Sequence, residues 1–152
     1  MIIRPARRED VPQIIAIYGM DILKGSQELI ADPLPTMYFD AFESIDANPN
    51  QVLLVAEENA EIMGSLQITF IQHLLSQARR RAVIEAVFIH PSHQGAGVGT
   101  ALVQEAIKLS LEANCTALEL TTDKKRERAH RFYERLGFKA SHEGFKLTLK
   151  KP

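Results

Sequence analysis

The pattern of apolar and polar positions predicts one strand and two helices before residue 50. The short, β-branched stretch 1–6 is typical of a strand. Apolar residues then recur at helical spacing over 9–20, with Asp10 as a candidate N-cap. Segment 36–45 has the pattern of a second helix, which the Asn-Pro-Asn sequence at 48–50 would end.

The middle of the chain predicts three strands. Segments 51–58 and 62–71 are apolar and β-branched, and the short polar turn 59–61 between them predicts a hairpin. A connection then leads to a strand at 81–90, which is long and mostly apolar. Such a run is typical of a central strand that is buried on both faces.

The last third of the chain alternates helices and strands. We predict a helix over 98–113, a strand over 116–122, a helix over 126–138 and a final strand over 145–150. The resulting order is βααβββαβαβ. A strand, loop, helix and strand in succession implies a right-handed parallel crossover. We therefore expect a mixed α/β (α+β) fold, with a central sheet flanked by helices, as a single domain over 1–152.

Composition and charge narrow the class of protein. A length of 152 residues with 45% hydrophobic and 24% charged residues is ordinary for one globular domain. The formal net charge of -1 gives no global field that would attract nucleic acid or an anionic membrane. No apolar run reaches the roughly 20 residues that span a bilayer, and segment 1–10 lacks the apolar core of a signal peptide. Cys115 is the only cysteine, and the five histidines lack metal-ligand spacing. We expect a cytoplasmic protein that binds no metal, membrane or nucleic acid.

The clearest candidate for a binding site is residues 93–102, His-Gln-Gly-Ala-Gly-Val-Gly-Thr-Ala-Leu. Its three glycines precede a predicted helix, whose first turn offers unpaired N–H groups and the positive end of a dipole. A phosphate bound there accepts several hydrogen bonds at once, and side chains would block its approach. Since no Lys or Arg lies between Arg81 and Lys108, such binding must rest on backbone amides, with Gln94 and Thr100 available for further contacts.

Three designs of phosphate-binding loop can be compared with this segment. The P-loop pattern fails because no Lys-Ser/Thr pair follows the glycines, and the dinucleotide pattern fails because Thr100 stands at the position of its third glycine. The pattern Q/R-x-x-G-x-G/A is met by Gln94, Gly97 and Gly99. With the preceding strand and the later segment Ala-His-Arg-Phe-Tyr-Glu-Arg-Leu-Gly-Phe-Lys at 129–139, the chain resembles the GNAT superfamily of acyl-CoA-dependent N-acyltransferases.

The resemblance implies acetyl-CoA as co-substrate, no metal, and a set of residues that hold the cofactor. The backbone of the central strand would bind the pantetheine arm, and an N–H there, that of Val87 or Phe88, would face the thioester carbonyl. Arg126 stands where the family often has Asn, and it is either a phosphate contact or a solvated residue at a helix start. The implied cofactor-binding residues are Val87, Phe88, Ile89, Gln94, Gly95, Ala96, Gly97, Val98, Gly99, Thr100 and Arg126.

Two residues are candidates for proton transfer. Tyr133 matches the tyrosine that the family places near the thioester sulfur, and as a general acid it would protonate the departing thiolate; otherwise it only packs. Glu85 interrupts an apolar strand, and it is either the base that draws a proton from the amine or a partner in a salt bridge with one of Arg79–Arg81. Strict alternation would put Glu85, Val87 and Ile89 on one face of the sheet and Ile84, Ala86 and Phe88 on the other.

The resemblance predicts an N-acetyltransferase. It would transfer an acetyl group to the primary amine of a small molecule or peptide by direct attack in a ternary complex, without a covalent acyl-enzyme. A homodimer is plausible by the same analogy. The alternative is a non-catalytic acyl-CoA-binding sensor or scaffold, and a nucleotide-dependent oxidoreductase is a third possibility. The basic run 78–81 is either a solvated strand entrance or a docking point for an anion.

Overall fold

The computed structural model describes residues 1–21, 25 and 27–150. It divides into two compact units, Met1–Glu119 and Leu120–Pro152. The first unit contains a five-stranded sheet with its covering helices, and the second contains one helix. That the whole chain forms a single domain stays a prediction.

The elements of the first unit follow in an order close to the predicted one. They are β1 (Ile2–Pro5), α1 (Val11–Tyr18), α2 (Thr36–Asp46), β2 (Gln51–Glu58), β3 (Glu61–Gln72), a one-turn α3 (Leu75–Ala78), β4 (Arg80–Ile89), α4 (Val98–Glu112) and β5 (Ala117–Glu119). Short 3₁₀ turns at Arg8–Asp10 and Pro91–His93 precede α1 and the glycine loop. The second unit contains α5 (Glu127–Arg135).

The five strands are arranged in sequence order across the sheet, β1-β2-β3-β4-β5. The first three pairings are antiparallel, and β4 with β5 is parallel. The parallel pair is joined by α4, which is the crossover that the sequence predicts. The mixed α/β fold is therefore confirmed.

Both faces of the sheet are covered by helices. On one face, Val55 packs in a core cluster with the apolar residues of α1 and α2, among them Val11, Ile14 and Phe42. The other face meets α4, which contacts β2, β3 and β4. The side chains buried around that contact include Leu54, Leu66, Ile68, Ile84, Leu102, Val103 and Ala106.

Two local predictions were wrong, and a third holds only in part, since Asp10 occupies the N-cap position of α1 but its side chain does not cap the helix. Asp10 directly precedes α1, but its carboxylate caps no N–H of that helix; it accepts from the backbone N–H of Arg7 at 2.7 Å and pairs with Arg4. β4 is not buried on both faces, since Glu85 is exposed. Segment 145–150 forms no strand, although its alternating pattern fits one, because no register partner supplies the ladder of hydrogen bonds that a strand needs.

Candidate active site

A β-bulge in the middle of β4 shapes the candidate site. Gln67 of β3 stands opposite Glu85, and Ser65 stands opposite Phe88, so β4 has one residue more than β3 in this interval. The extra residue leaves Ala86 and Val87 together opposite Leu66. Such a two-against-one arrangement disrupts the ladder locally and bends the strand. Ala86 has a φ of 49°, which is unusual for a residue with a β-carbon.

The bulge corrects the predicted assignment of faces. Residues directly opposite each other in a sheet share a face, and Leu53, Gln67 and Glu85 are aligned in this way. Phe88 is aligned with Ser65, which lies on the same face of β3 as Gln67. Glu85 and Phe88 therefore lie on the α1/α2 face together. Ile89 pairs with Gly64 and lies on the opposite face, not with Glu85 as strict alternation predicts.

Gly64 lets the end of β4 come close to β3. A β-carbon built on Gly64 would lie 2.8 Å from the carbonyl oxygen of Phe88 and 2.7 Å from the Ile89 side chain. His90 then donates its N–H to the carbonyl of Met63 at 2.8 Å, which anchors the strand where it enters the loop. The backbone of Phe88 and Ile89 is thus held in place by a residue that must have no side chain.

On its other edge, β4 is paired with β5 for only a short distance. The parallel register runs from Arg81 opposite Ala117 to Val83 opposite Glu119, and there it ends. The remaining residues of β4, from Ile84 to Ile89, have no register partner on β5. These residues include the three predicted to bind the cofactor through their backbone.

The glycine loop ends in a helix N-terminus with unpaired donors. Gly97 is the N-cap of α4 and has a φ of 84°, and Gly95 has a φ of 82°. The first helical hydrogen bond runs from the N–H of Ala101 to the carbonyl of Gly97 at 3.0 Å. Within the described part of the chain, the N–H groups of Val98, Gly99 and Thr100 have no acceptor. A β-carbon at Gly95 or Gly97 would meet nothing within 4 Å, so both glycines are explained by their backbone conformation.

The turn before the loop is held by its own side chains. The Nδ1 atom of His90 accepts the N–H of Ser92 at 3.2 Å, and the Nε2 atom of His93 lies 3.1 Å from a carboxylate oxygen of Glu61. The side-chain amide of Gln94 lies 3.4 Å from the carbonyl of Ile89. The two histidines therefore fix the turn that aims the glycines.

The α1/α2 face beside the bulge carries polar groups that sequence reasoning missed. The rings of Tyr18 and Phe88 are 5.0 Å apart, and the buried Ser65 hydroxyl donates to the Tyr18 hydroxyl at 3.2 Å. Burial raises the pKa of Tyr18, although the bond from Ser65 opposes this. Only the bulge turns Phe88 toward Tyr18, so no pattern in the sequence predicts this pair.

Glu85 does not form the salt bridge that the sequence offers as one alternative. Its side chain is exposed rather than buried, and among the described residues no hydrogen bond or ion pair joins it to the nearby arginines. Arg81 instead pairs with Glu119 across the parallel register. Glu85 is thus a solvent-facing carboxylate directly beside the bulge.

Tyr133 and Arg126 lie in the second unit. The ring of Tyr133 packs against Phe132 and Phe138, with ring centroids 5.0 and 5.6 Å away. Burial raises the pKa of Tyr133, against an opposing influence of the Arg126 charge. Arg126 occupies the N-cap position of α5, and its carbonyl accepts the N–H of His130 at 3.1 Å. The structure therefore gathers Val87, Phe88, Ile89 and the loop in the first unit, with Tyr133 and Arg126 in the second.

The described residues contain neither a cluster of metal-ligating side chains nor an activated thiol. Within the described ranges, no group of three or more His, Cys, Asp or Glu residues could hold a metal ion. Burial raises the pKa of Cys115, despite the opposing charge of Arg80, so its thiol is mostly protonated at neutral pH. Over the same ranges, no helix is both long and apolar enough to cross a membrane.

Comparison with known proteins decides the family. The model of the acetyltransferase (GNAT) family matches residues 20–138. The chain belongs to the GNAT family. It is an acetyltransferase, and the family to which it belongs uses acetyl-CoA.

Three relatives show how this acetyltransferase compares with characterised and solved proteins. It is 29% identical to an aminoalkylphosphonate N-acetyltransferase of Salmonella typhimurium over 97% of this chain and 90% of that one. It is 30% identical to a glucosamine 6-phosphate N-acetyltransferase of Trypanosoma brucei brucei over 61% of each chain. A crystal structure described as a transcriptional regulator from Bacillus halodurans C-125 is 43% identical, with a TM-score of 0.94 over 97% of this chain and 99% of that one.

Proposed function

We propose that this protein transfers the acetyl group of acetyl-CoA to the primary amine of a small molecule that also carries a phosphonate or phosphate group. The observation that carries the cofactor part is one continuous stretch, 84–103. It joins a bulged strand, unpaired with β5, to a helix whose first N–H groups lack acceptors. The phosphorylated acceptor is supported by two relatives, whose names specify an aminoalkylphosphonate and a sugar phosphate.

The two ends of the stretch suit the two ends of the cofactor. The pyrophosphate would accept hydrogen bonds from the backbone of Gly95 to Thr100, where the dipole of α4 favours negative charge. The pantetheine arm would lie along Val87 to Ile89 like an added strand. An N–H of Val87 or Phe88 would donate to the thioester oxygen, and one preorganised donor of this kind lowers a barrier by about 3–4 kcal/mol.

The reaction then needs two proton transfers. The amine lone pair attacks the thioester carbon, the C–N bond forms and the C–S bond breaks. Glu85, which faces solvent beside the bulge, would take the amine proton through water. Tyr133 would give its proton to the departing thiolate, and the raised pKa of its phenol keeps that proton in place at neutral pH.

A panel of acceptor amines tests the substrate class. Release of coenzyme A is measured with 2-aminoethylphosphonate and glucosamine 6-phosphate, each beside its matched amine without the phosphorus group, ethylamine and glucosamine. We expect kcat/KM to be at least about tenfold higher for each phosphorus-bearing amine, since pairing with a charged acceptor is typically worth 1.5–3 kcal/mol. Equal values for both members of each pair would reject the substrate class while leaving the acetyl-CoA assignment standing.

Replacement of Tyr133 by Phe tests the proposed acid. The ring packing is retained and the proton is lost, so we expect kcat to fall about 10²-fold or more with the Kd for acetyl-CoA unchanged. Glu85→Gln is expected to reduce kcat with the acid still in place. If both variants turn over at the wild-type rate while acetyl-CoA still binds, neither residue transfers a proton.

A second candidate function is that of an acyl-CoA sensor that transfers no acetyl group. The relative described as a transcriptional regulator favours a sensor in which acyl-CoA binding, rather than turnover, is the signal. A sensor requires the glycine loop but neither Tyr133 nor Glu85. Tight acetyl-CoA binding without coenzyme A release from any amine in the panel would support it.

A further inference from the structure

Three consecutive arginines, Arg79 to Arg81, lie where β4 begins, and the side chains of the last two form hydrogen bonds. Arg80 donates to the carbonyl of Ala113 at 3.2 Å and to the side-chain oxygen of Asn50 at 2.7 Å. Arg81 pairs with Glu119 and places its Nε 2.8 Å from the Nε2 atom of His73. Both arginines thus tie the start of β4 to neighbouring segments.

Arg79 differs from its two neighbours. Its Nε atom is buried, and among the residues that the structure describes it has no hydrogen-bond partner. No ion pair or side-chain hydrogen bond to the Arg79 guanidinium is found in the same part of the chain. A buried donor without an acceptor costs about 1–3 kcal/mol, and more when the group is charged. Such a group in a folded protein calls for an explanation.

Arg79 lines a groove of about 460 Å³ at the start of β4. The lining contains two arginines and no Asp or Glu, and its remaining side chains are mostly neutral hydrogen-bonding groups. The carbonyl of Ala113, at the negative end of α4, is already neutralised by Arg80. The neutral donors around the groove are Ser76, Gln77, Asn114 and Thr116.

The wall of the groove has a fixed, unusual backbone. Ser76, Gln77 and Ala78 all have φ values between 54° and 61°. The side-chain amide of Gln72 donates to the carbonyl of Ala78 at 2.7 Å, and also lies 3.1 Å from the carbonyl of His73. The Gln72 side chain therefore joins the two ends of the connection between β3 and β4.

The groove is far from the candidate active site. Arg80 and Ile89 stand at opposite ends of β4, nine residues apart, which corresponds to about 30 Å along a strand. The bulge at Ala86 is about 20 Å from Arg80 by the same measure. A small acceptor whose amine meets the thioester beside the bulge cannot also reach Arg79.

We propose that this groove binds the phosphoryl group of a small phosphorylated molecule, or inorganic phosphate, as a second site separate from acetyl transfer. The terminal Nη groups of a guanidinium match phosphate oxygens geometrically, and those of Arg79 would donate to an oxyanion in the groove. An oxyanion there meets two positive charges and no carboxylate.

Titration with inorganic phosphate, and separately with glycerol phosphate, tests the site at constant ionic strength against chloride. Calorimetry gives the affinity, and the Nε–H resonance of Arg79 in a ¹H–¹⁵N spectrum reports the location. Saturating coenzyme A is present throughout, so that the glycine loop is not the source of the signal; a repeat without it keeps the result independent of the acetyl-CoA proposal. The stronger of the two ligands identifies the free ion or the ester as the source.

We expect saturable binding that moves the Arg79 resonance. Arg79→Gln should weaken binding at least tenfold, and Arg79→Lys, which keeps the charge but loses the fork, should weaken it less. Arg7→Gln is the matched control, because the Arg7 side chain is exposed and its ion pair with Glu9 is long, at 3.9 Å. This variant should bind phosphate as tightly as the wild type. Binding that does not saturate, or that survives in Arg79→Gln, would overturn the proposal.

Discussion

At the scale of single residues, the conformation of Ala86 determines what β4 presents on each face. A left-handed conformation costs an L-residue roughly 1–2 kcal/mol, and Ala86 adopts it with a φ of 49°. The bulge that results turns Phe88 to the same face as Glu85. One strained residue therefore decides which side chains border the proposed thioester site.

The direction in which Ala86→Gly changes the free energy of unfolding tests this conformation. In an ordinary strand, Ala86→Gly would lower the free energy of unfolding by about 0.5–1 kcal/mol. At a positive φ the same change relieves strain, so we expect the free energy of unfolding to stay constant or rise by up to about 1 kcal/mol. Ala86→Val should lower it, because a β-branched residue fits this conformation poorly. Denaturant unfolding measures both; a clear loss in the glycine variant would mean that Ala86 is extended.

The sequence signals the glycine loop but not the bulge, for a physical reason. Left-handed positions are normally marked by Gly, and Gly95 and Gly97 are such marks. Ala86 has no such mark, and the run 82–89 is apolar at every position except Glu85. Because nothing alternates in that run, the two faces could not be told apart before the register with β3 was known.

At the scale of elements, the close approach of β3 and β4 rests on Gly64. Its missing side chain leaves room for the carbonyl of Phe88 and the side chain of Ile89. A backbone oxygen cannot rotate away as a flexible side chain can. A larger residue at this position must therefore move β4 itself, together with the backbone proposed to hold the pantetheine arm.

Gly64→Ala is expected to act on both stability and cofactor binding. The new methyl would stand 2.8 Å from the Phe88 carbonyl, and overpacking of this kind costs about 1–3 kcal/mol. We also expect weaker acetyl-CoA binding, measured by calorimetry. Gly144→Ala is the control, because the added carbon would be 4.0 Å from its nearest neighbour. If Gly64→Ala binds acetyl-CoA as tightly as the wild type, cofactor binding does not depend on the close approach of β4 to β3.

The sequence predicts the strands of the hairpin well, but not the length of β5 or the fate of segment 145–150. The hairpin of β2 and β3 matches its sequence pattern closely, because the two strands pair with each other along almost their whole length. The alternating pattern of 116–122 predicts seven residues, but β5 has three, since its register with β4 stops at Glu119. Segment 145–150 has the same kind of pattern and no strand. The alternating pattern predicts which face of a segment is apolar, whereas hydrogen-bonded pairing with a neighbouring strand determines how many of its residues form a strand.

At the scale of the whole molecule, a buried cluster of charges joins distant parts of the first unit. Arg4 of β1 donates two hydrogen bonds to Asp10, at 2.7 and 3.0 Å, and one to Glu57 of β2 at 2.5 Å. The Asp10 side chain is only 6% exposed. A bidentate pair with further hydrogen bonds is the geometry in which buried charges are tolerated. The sequence suggests a helix cap at Asp10, because its pairing with Arg4 depends on how β1 packs against the turn before α1.

This cluster predicts how the protein responds to acid. Burial alone would raise the pKa of Asp10, but the hydrogen bonds from Arg4 and from the Arg7 backbone outweigh it, and the net pKa is lowered. A carboxyl whose pKa is lower in the folded state stabilises the fold above its unfolded pKa, about 3.9 for Asp, and this stabilisation is lost as the pH falls through the folded value. Asp10→Asn should therefore lower the free energy of unfolding at pH 7 by about 1–3 kcal/mol, since it removes one of the two carboxylates that pair with Arg4 while Glu57 remains. Below about pH 4 the unfolding free energy of Asp10→Asn should fall less steeply with pH than that of the wild type.

Glu9→Gln is the control, because the exposed Glu9 side chain only approaches Arg7. It should change the free energy of unfolding by less than about 0.5 kcal/mol and keep the wild-type slope. Parallel acid slopes for Asp10→Asn and the wild type would show that Asp10 has the same pKa folded and unfolded.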